Sequence, residues 1–216
     1  MKILNKNQFF KLVILFLLLL MYICISAISY ASSVSANIAD SVFRLHVIAN
    51  SDSEYDQNLK LKVRDSLLSY MNSISSGATT KLEAMQIASS HLEDFKYIAE
   101  DVIKSEGYHY SVNISISKCD FPTKNYGDVS LPSGNYDALR VQIGDAAGQN
   151  WWCVMFPPLC FVDVSSGIVP DESKEILKDS LGDEEYELIT ANNSLNTSST
   201  IKFKLIELVE QLKSKI

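Results

Sequence analysis

His46, Asp52 and the cysteines Cys153 and Cys160 are the residues of this chain whose types could carry a reaction. A strand-borne histidine, a carboxylate at that strand's end and a thiol from another strand are the parts of a Cys-His-Asp site. There the imidazole takes the thiol proton and the carboxylate orients the imidazole. No local signature joins these residues, and a histidine on a strand's polar face more often serves as a hydrogen-bonded structural residue. Metal binding has less support. His46, His91 and His109 fall on three separate expected elements, and neither C-x-x-C nor H-E-x-x-H occurs. There is no phosphate loop, and Ser133-Gly134 lacks the strand-Ser-helix context of a nucleophile elbow. The motifs therefore assign no catalytic residue, no metal and no cofactor.

Two stretches look built to bind. Asn150–Asp163 (NWWCVMFPPLCFVD) packs two tryptophans, two cysteines, two phenylalanines and a Pro-Pro pair into fourteen residues. Such a segment either centres a core or docks a partner. Successive strand residues point to opposite faces, so Trp151 and Trp152 can do one each. The second stretch puts Arg44, His46, Asn50, Asp52 and Asp56 near one strand-to-helix junction, where helix N-terminal amides gather. The bland reading is a strand, an Asn/Asp turn and a capped helix; the functional one is a polar cluster that grips a partner's charged group. Cys153 and Cys160 flank Pro157-Pro158, and a turn there could bring them within bridging range. Reduced, buried thiols fit the spacing as well. Cys119 has no evident role.

The elements that must position these residues begin after an export segment. Lys2, Lys6 and Lys11 precede an uncharged apolar run, Leu12–Ile25, and Ser29-Tyr30-Ala31 gives a small-x-small end. The pattern reads as a signal peptide over 1–31, with an uncleaved anchor as the alternative. Either way the rest lies outside the membrane, because the positive flank stays cytoplasmic. The whole chain carries a formal charge of −7; without residues 1–31 it loses three lysines and no acid, leaving 16 basic against 26 acidic side chains, or −10. That balance argues against a nucleic-acid binder, which needs clustered Lys and Arg.

Residues 32–40 read as a mobile lead and 41–216 as one exported domain. Val42–Ala49 is expected as a strand. A helix of about twenty residues enters at Ser53 and carries Leu59, Val63 and Leu67 on one face. A second helix is expected from about Thr80 to Gly107. Tyr108–Lys118 alternates without a fault, a strand with one solvated face. Asp120–Pro132 reads as a loop. Tyr136–Gly144 and Asn150–Phe156 read as a hairpin, the latter an inner strand. Short helices over Asp171–Leu181 and Asp183–Thr190 flank Gly182, Ala191–Ser199 is a polar connector, and Ile201–Leu205 is a short strand running into a terminal helix. The expected fold is α+β, a mostly antiparallel sheet packed against two long amphipathic helices with a helical C-terminal extension.

RLHVIANSDSEYDQNLKLKVRD (Arg44–Asp65) and FPTKNYGDVSLPSGNYDALRVQIGDAAGQNWWCVMFPPLCFVD (Phe121–Asp163), with LGDEEYELI and IKFKLIELVE in the tail, resemble the stage II sporulation protein R family. The most distinctive matched positions are Arg44, His46, Asn50, Asp52, Asp56, Tyr126, Gly127, Trp151, Trp152, Cys153, Pro157, Pro158 and Cys160. The resemblance implies a signal and not an enzyme. Such proteins are exported from the forespore into the space between the two membranes around it. There they activate a membrane-embedded aspartic protease that processes the mother-cell sigma-E precursor. It supplies no catalytic residues. An extracytoplasmic hydrolase using Cys153 or Cys160 with His46 is the alternative.

Overall fold

The computed structural model describes residues 6–159, 169–190 and 197–213. Its sheet has four strands, β1 (Phe43–Ile48), β2 (Val112–Phe121), β5 (Gly134–Ile143) and β6 (Asn150–Phe156), in the order β2-β5-β1-β6. β2 pairs antiparallel with β5 and β6 antiparallel with β1, while β1 and β5 run parallel. The fold is α+β with a mostly antiparallel sheet.

One face is covered as its alternation demands. Phe43, Leu45 and Val47 of β1 and Leu139, Val141 and Ile143 of β5 meet α2 (Glu54–Ile74), α3 (Lys81–Ser90) and α4 (Leu92–Ser105) in one buried cluster. α2 starts at Ser53, whose hydroxyl accepts from the Asp56 amide, and its apolar stripe Leu59, Val63, Leu67 and Met71 is buried. The second helix expected here is two. The chain breaks at His91, which ends α3 and opens α4 with non-helical backbone angles.

The opposite face is covered by α1 (Lys6–Ser41), α5 (Asp171–Ser180), α6 (Asp183–Thr190) and α7 (Thr197–Lys213). Residues 32–40, expected as a mobile lead, are instead the last turns of α1, with Val34 and Ile38 buried against this face. The expected strand at Ile201–Leu205 is helical. Phe203, Ile206 and Val209 recur at three-residue steps and bury together, so the helical period wins over the short alternation. Of the polar connector, 197–199 belong to α7 and 191–196 lie outside the described residues.

Two further corrections bear on the site. β5 and β6 are not a hairpin, because β1 lies between them and pairs with both. Their connection, residues 144–149, therefore crosses the end of β1, and among the described residues β6 is an edge strand and not an inner one. Within the expected loop, β3 (Lys124–Tyr126) and β4 (Val129–Leu131) form a small hairpin turning at Gly127, whose φ is +56°.

Candidate functional site

β1 presents Arg44 and His46 to the face opposite α2. Arg44 is fully buried. Its guanidinium carbon lies 4.0 Å from the ring centre of Phe121 and 4.6 Å from that of Tyr136. Nη2 donates to the Tyr126 hydroxyl at 2.6 Å, and Nε donates to the Cys153 carbonyl at 3.4 Å. The Tyr126 hydroxyl in turn donates to the Trp152 carbonyl at 3.3 Å. One arginine thus ties the β3–β4 hairpin to β6.

His46 is 5% exposed and stacks on Trp152 with ring centres 3.9 Å apart. Nε2 lies 2.7 Å from Asn150 Oδ1, which places the imidazole proton on Nε2; Nδ1 is buried without a partner among the described residues. Burial holds the imidazole below its ordinary pKa; the Asn150 hydrogen bond opposes this and the Arg140 charge assists it. His46 is therefore a neutral ring in an aromatic stack.

The junction beyond β1 is a clasp. Asn50 Oδ1 accepts from the Asp145 amide at 3.0 Å and Asp52 Oδ1 from the Gln149 amide at 2.7 Å. The backbone carbonyls of Ala49 and Asn50 accept from the Gly148 and Ala147 amides. Asn50, Ser51 and the Ser53 cap also converge on the buried Asp56. Burial pushes the Asp56 carboxyl up, but donors from Ser51, Asn50, Tyr110 and Ser53 outweigh it and hold the group below its usual range. A side chain at Gly148 would meet the Ser51 carbonyl oxygen at 2.2 Å. These residues bind the loop that carries the chain from β5 across β1 to β6.

The structure thus brings Arg44, His46 and Trp152 together, and Asn50 to Asp56. It does not bring His46 to Asp52, which caps Gln149, nor to Cys153. Cys153 packs with Leu45 in the helix-side cluster, on the face opposite His46. Cys24 and Cys119 are free thiols and Cys153 is disulfide-bonded. Cys160, the other member of the expected pair, lies outside the described residues. Trp151 points to the helix side, with the Arg64 guanidinium 4.1 Å above its ring. Among the described residues no three His, Cys, Asp or Glu side chains gather as a metal site.

Along the outer side of β6 runs a groove of about 660 Å³, walled by α2 and by the β3–β4 hairpin, with Trp151 and Trp152 in its lining. Sequence reasoning missed its two lysines, Lys60 and Lys124. Lys60 Nζ donates to the Gln149 carbonyl at 2.9 Å and is nearly buried, which lowers its pKa against the pull of Asp52.

A family model for stage II sporulation protein R matches residues 39–166, which include the six described strands and the described groove lining. A stage II sporulation protein R of Bacillus subtilis (strain 168) is 35% identical over 185 residues, covering 81% of this chain and 83% of that protein. The chain belongs to the stage II sporulation protein R family. Its role is accordingly in sporulation. No solved structure matches the chain. The matched segment begins at the buried end of α1 and spans the clasp, Arg44 with its partners and β6, so the family's shared part coincides with the geometry described above.

Proposed function

We propose that this chain is an exported sporulation signal from the forespore. It acts between forespore and mother cell by binding the membrane-embedded aspartic protease that processes the sigma-E precursor. The observation that carries the reading is the groove on β6, an aromatic-floored, open recess in a family of sporulation proteins. The apolar stretch of α1 supports export: among the described residues it is the one helix long and apolar enough to cross a membrane. Activation of a protease needs no chemistry from the activator. A ligand preferring the active arrangement by about 5.5 kcal/mol moves its population from 1:99 to 99:1, and a standard interface of roughly 800 Å² per partner can supply that. The hydrolase alternative needs Cys153 or Cys160 beside His46; Cys153 is on the other face of the sheet, and Cys160 lies outside the described residues.

The test is reconstitution in a non-sporulating host carrying the candidate protease and its precursor, with and without this chain exported. Cleavage that depends on the exported chain is expected. His46→Gln and Cys153→Ala are expected to retain cleavage in proportion to the folded protein they yield. Confirmed export without cleavage would sink the reading.

A further inference from the structure

Among the described residues β6 has one strand neighbour, and on its outer side single side chains stand where a strand could: Tyr126 at the Trp152 carbonyl and Lys60 at the Gln149 carbonyl. Edges of this kind are where extended peptides add to a sheet, the backbone giving affinity and alternate side-chain pockets giving specificity. Trp151 and Trp152 point to opposite faces of the edge, so an added strand would set successive side chains against one indole and then the other. The groove's charge is as distinctive as its shape. Among the described residues two lysines line it and no carboxylate does, in a chain of net charge −7. Lys60 already donates to Gln57 and Gln149, whereas Lys124 is half-buried and makes no ion pair among the described residues.

We infer that the occupant is an extended segment of the partner polypeptide bearing at least one carboxylate, laid along Asn150–Cys153 as an added strand with its acid at Lys124. The inference rests on the partner proposed above and names what that partner must present. A second copy of this chain fits poorly, because β6 against β6 would bring like-charged lysines together.

The experiment uses the full exported chain in the reconstituted host, with the photo-cross-linker p-benzoylphenylalanine at Asn125 on the groove rim. The control carries it at Tyr97, which is 71% exposed on α4 and outside the groove lining. Asn125 is expected to cross-link to an acidic extended stretch of the protease and Tyr97 not to. Lys124→Glu is expected to lower cleavage about tenfold with unchanged thermal unfolding, and Lys124→Arg to preserve it. If cleavage persists while Asn125 cross-links only to a second copy or back into its own chain, the inference is overturned and the signalling reading stands. The same holds if Lys124→Glu cleaves normally. If the unlabelled chain gives no cleavage despite confirmed export, the signalling reading falls, and the assignment of the groove to this partner falls with it.

Discussion

Arg44 sets its planar guanidinium over aromatic rings and forks to the Tyr126 hydroxyl and the Cys153 carbonyl. Lysine keeps the charge but has neither the plane nor the fork. Arg44→Lys should therefore destabilise the fold by on the order of 2 kcal/mol, read from the denaturant midpoint. Its neighbour His46 makes stability depend on pH. The folded state holds its pKa below the ordinary 6.5, so the unfolded chain binds a proton that the folded chain refuses. The stabilisation is complete above the unfolded value and is lost as pH falls through 6.5 toward the lowered folded value. Arg140 and Asn150 are the groups that bias the ring, in opposite senses. The melting temperature should fall between about pH 7 and pH 5, and His46→Gln should flatten that slope. Carboxylates such as Asp56 act lower, since their stabilisation is lost as pH falls through the ordinary carboxylate range toward the lowered folded value. An unchanged slope in His46→Gln would remove the assignment.

The clasp is the element-scale device. With β1 inserted between β5 and β6, the connection over its end must be held by something other than a hairpin ladder, and Asn50, Asp52 and Gly148 hold it. Asn50→Ala leaves the Asp145 amide and Asp56 each short of a partner and should cost roughly 1–3 kcal/mol. Gly148→Ala forces the loop off Ser51, and the double variant should cost less than the sum because both loosen the same loop from the end of β1. Denaturant titration of the four proteins tests this; full additivity would mean the two act apart. This device explains what could be read in advance. The alternation of Val112–Ser117 and the Ser53 cap with its Leu59–Val63–Leu67 stripe are local patterns, so they were legible. The insertion of β1 leaves only Asn50 and Asp52 as a trace, and the same residues equally suit a turn and a cap. The break at His91 was hidden because Met85, Ala88, Leu92 and Phe95 keep helical spacing across it. Lys60 and Lys124 could not be picked out, because their meeting depends on β6 being an edge.

At the scale of the whole molecule, α1 is one helix with two parts, an exposed apolar one and a buried one. Phe9 to Ile28 carries exposed apolar side chains over twenty positions, about 30 Å of helix and the thickness of a bilayer core. The same helix continues into Ala31, Val34, Ile38 and Ala39, all buried beneath α6 and α7, with Tyr30 donating to Glu184 and Asn37 to Glu185. Ala31, where the export signal would be cut, is fully buried inside a continuous helix. Cleavage there needs an open, extended backbone, so the folded domain must first release this end of α1. Re-exposing Val34 and Ile38 costs on the order of 3–6 kcal/mol, which lowers the open population by roughly a hundredfold or more. Purified full-length folded protein should accordingly be cut by signal peptidase at least about tenfold more slowly than a Val34→Asp, Ile38→Asp double variant, whose α1 end is unfastened. N-terminal sequencing of the products over time reads this directly. Slow cutting of the folded chain makes the order of folding and processing decide whether the domain is released or stays mounted on its membrane helix; equal rates would mean that α1 undocks freely and places no such constraint on release.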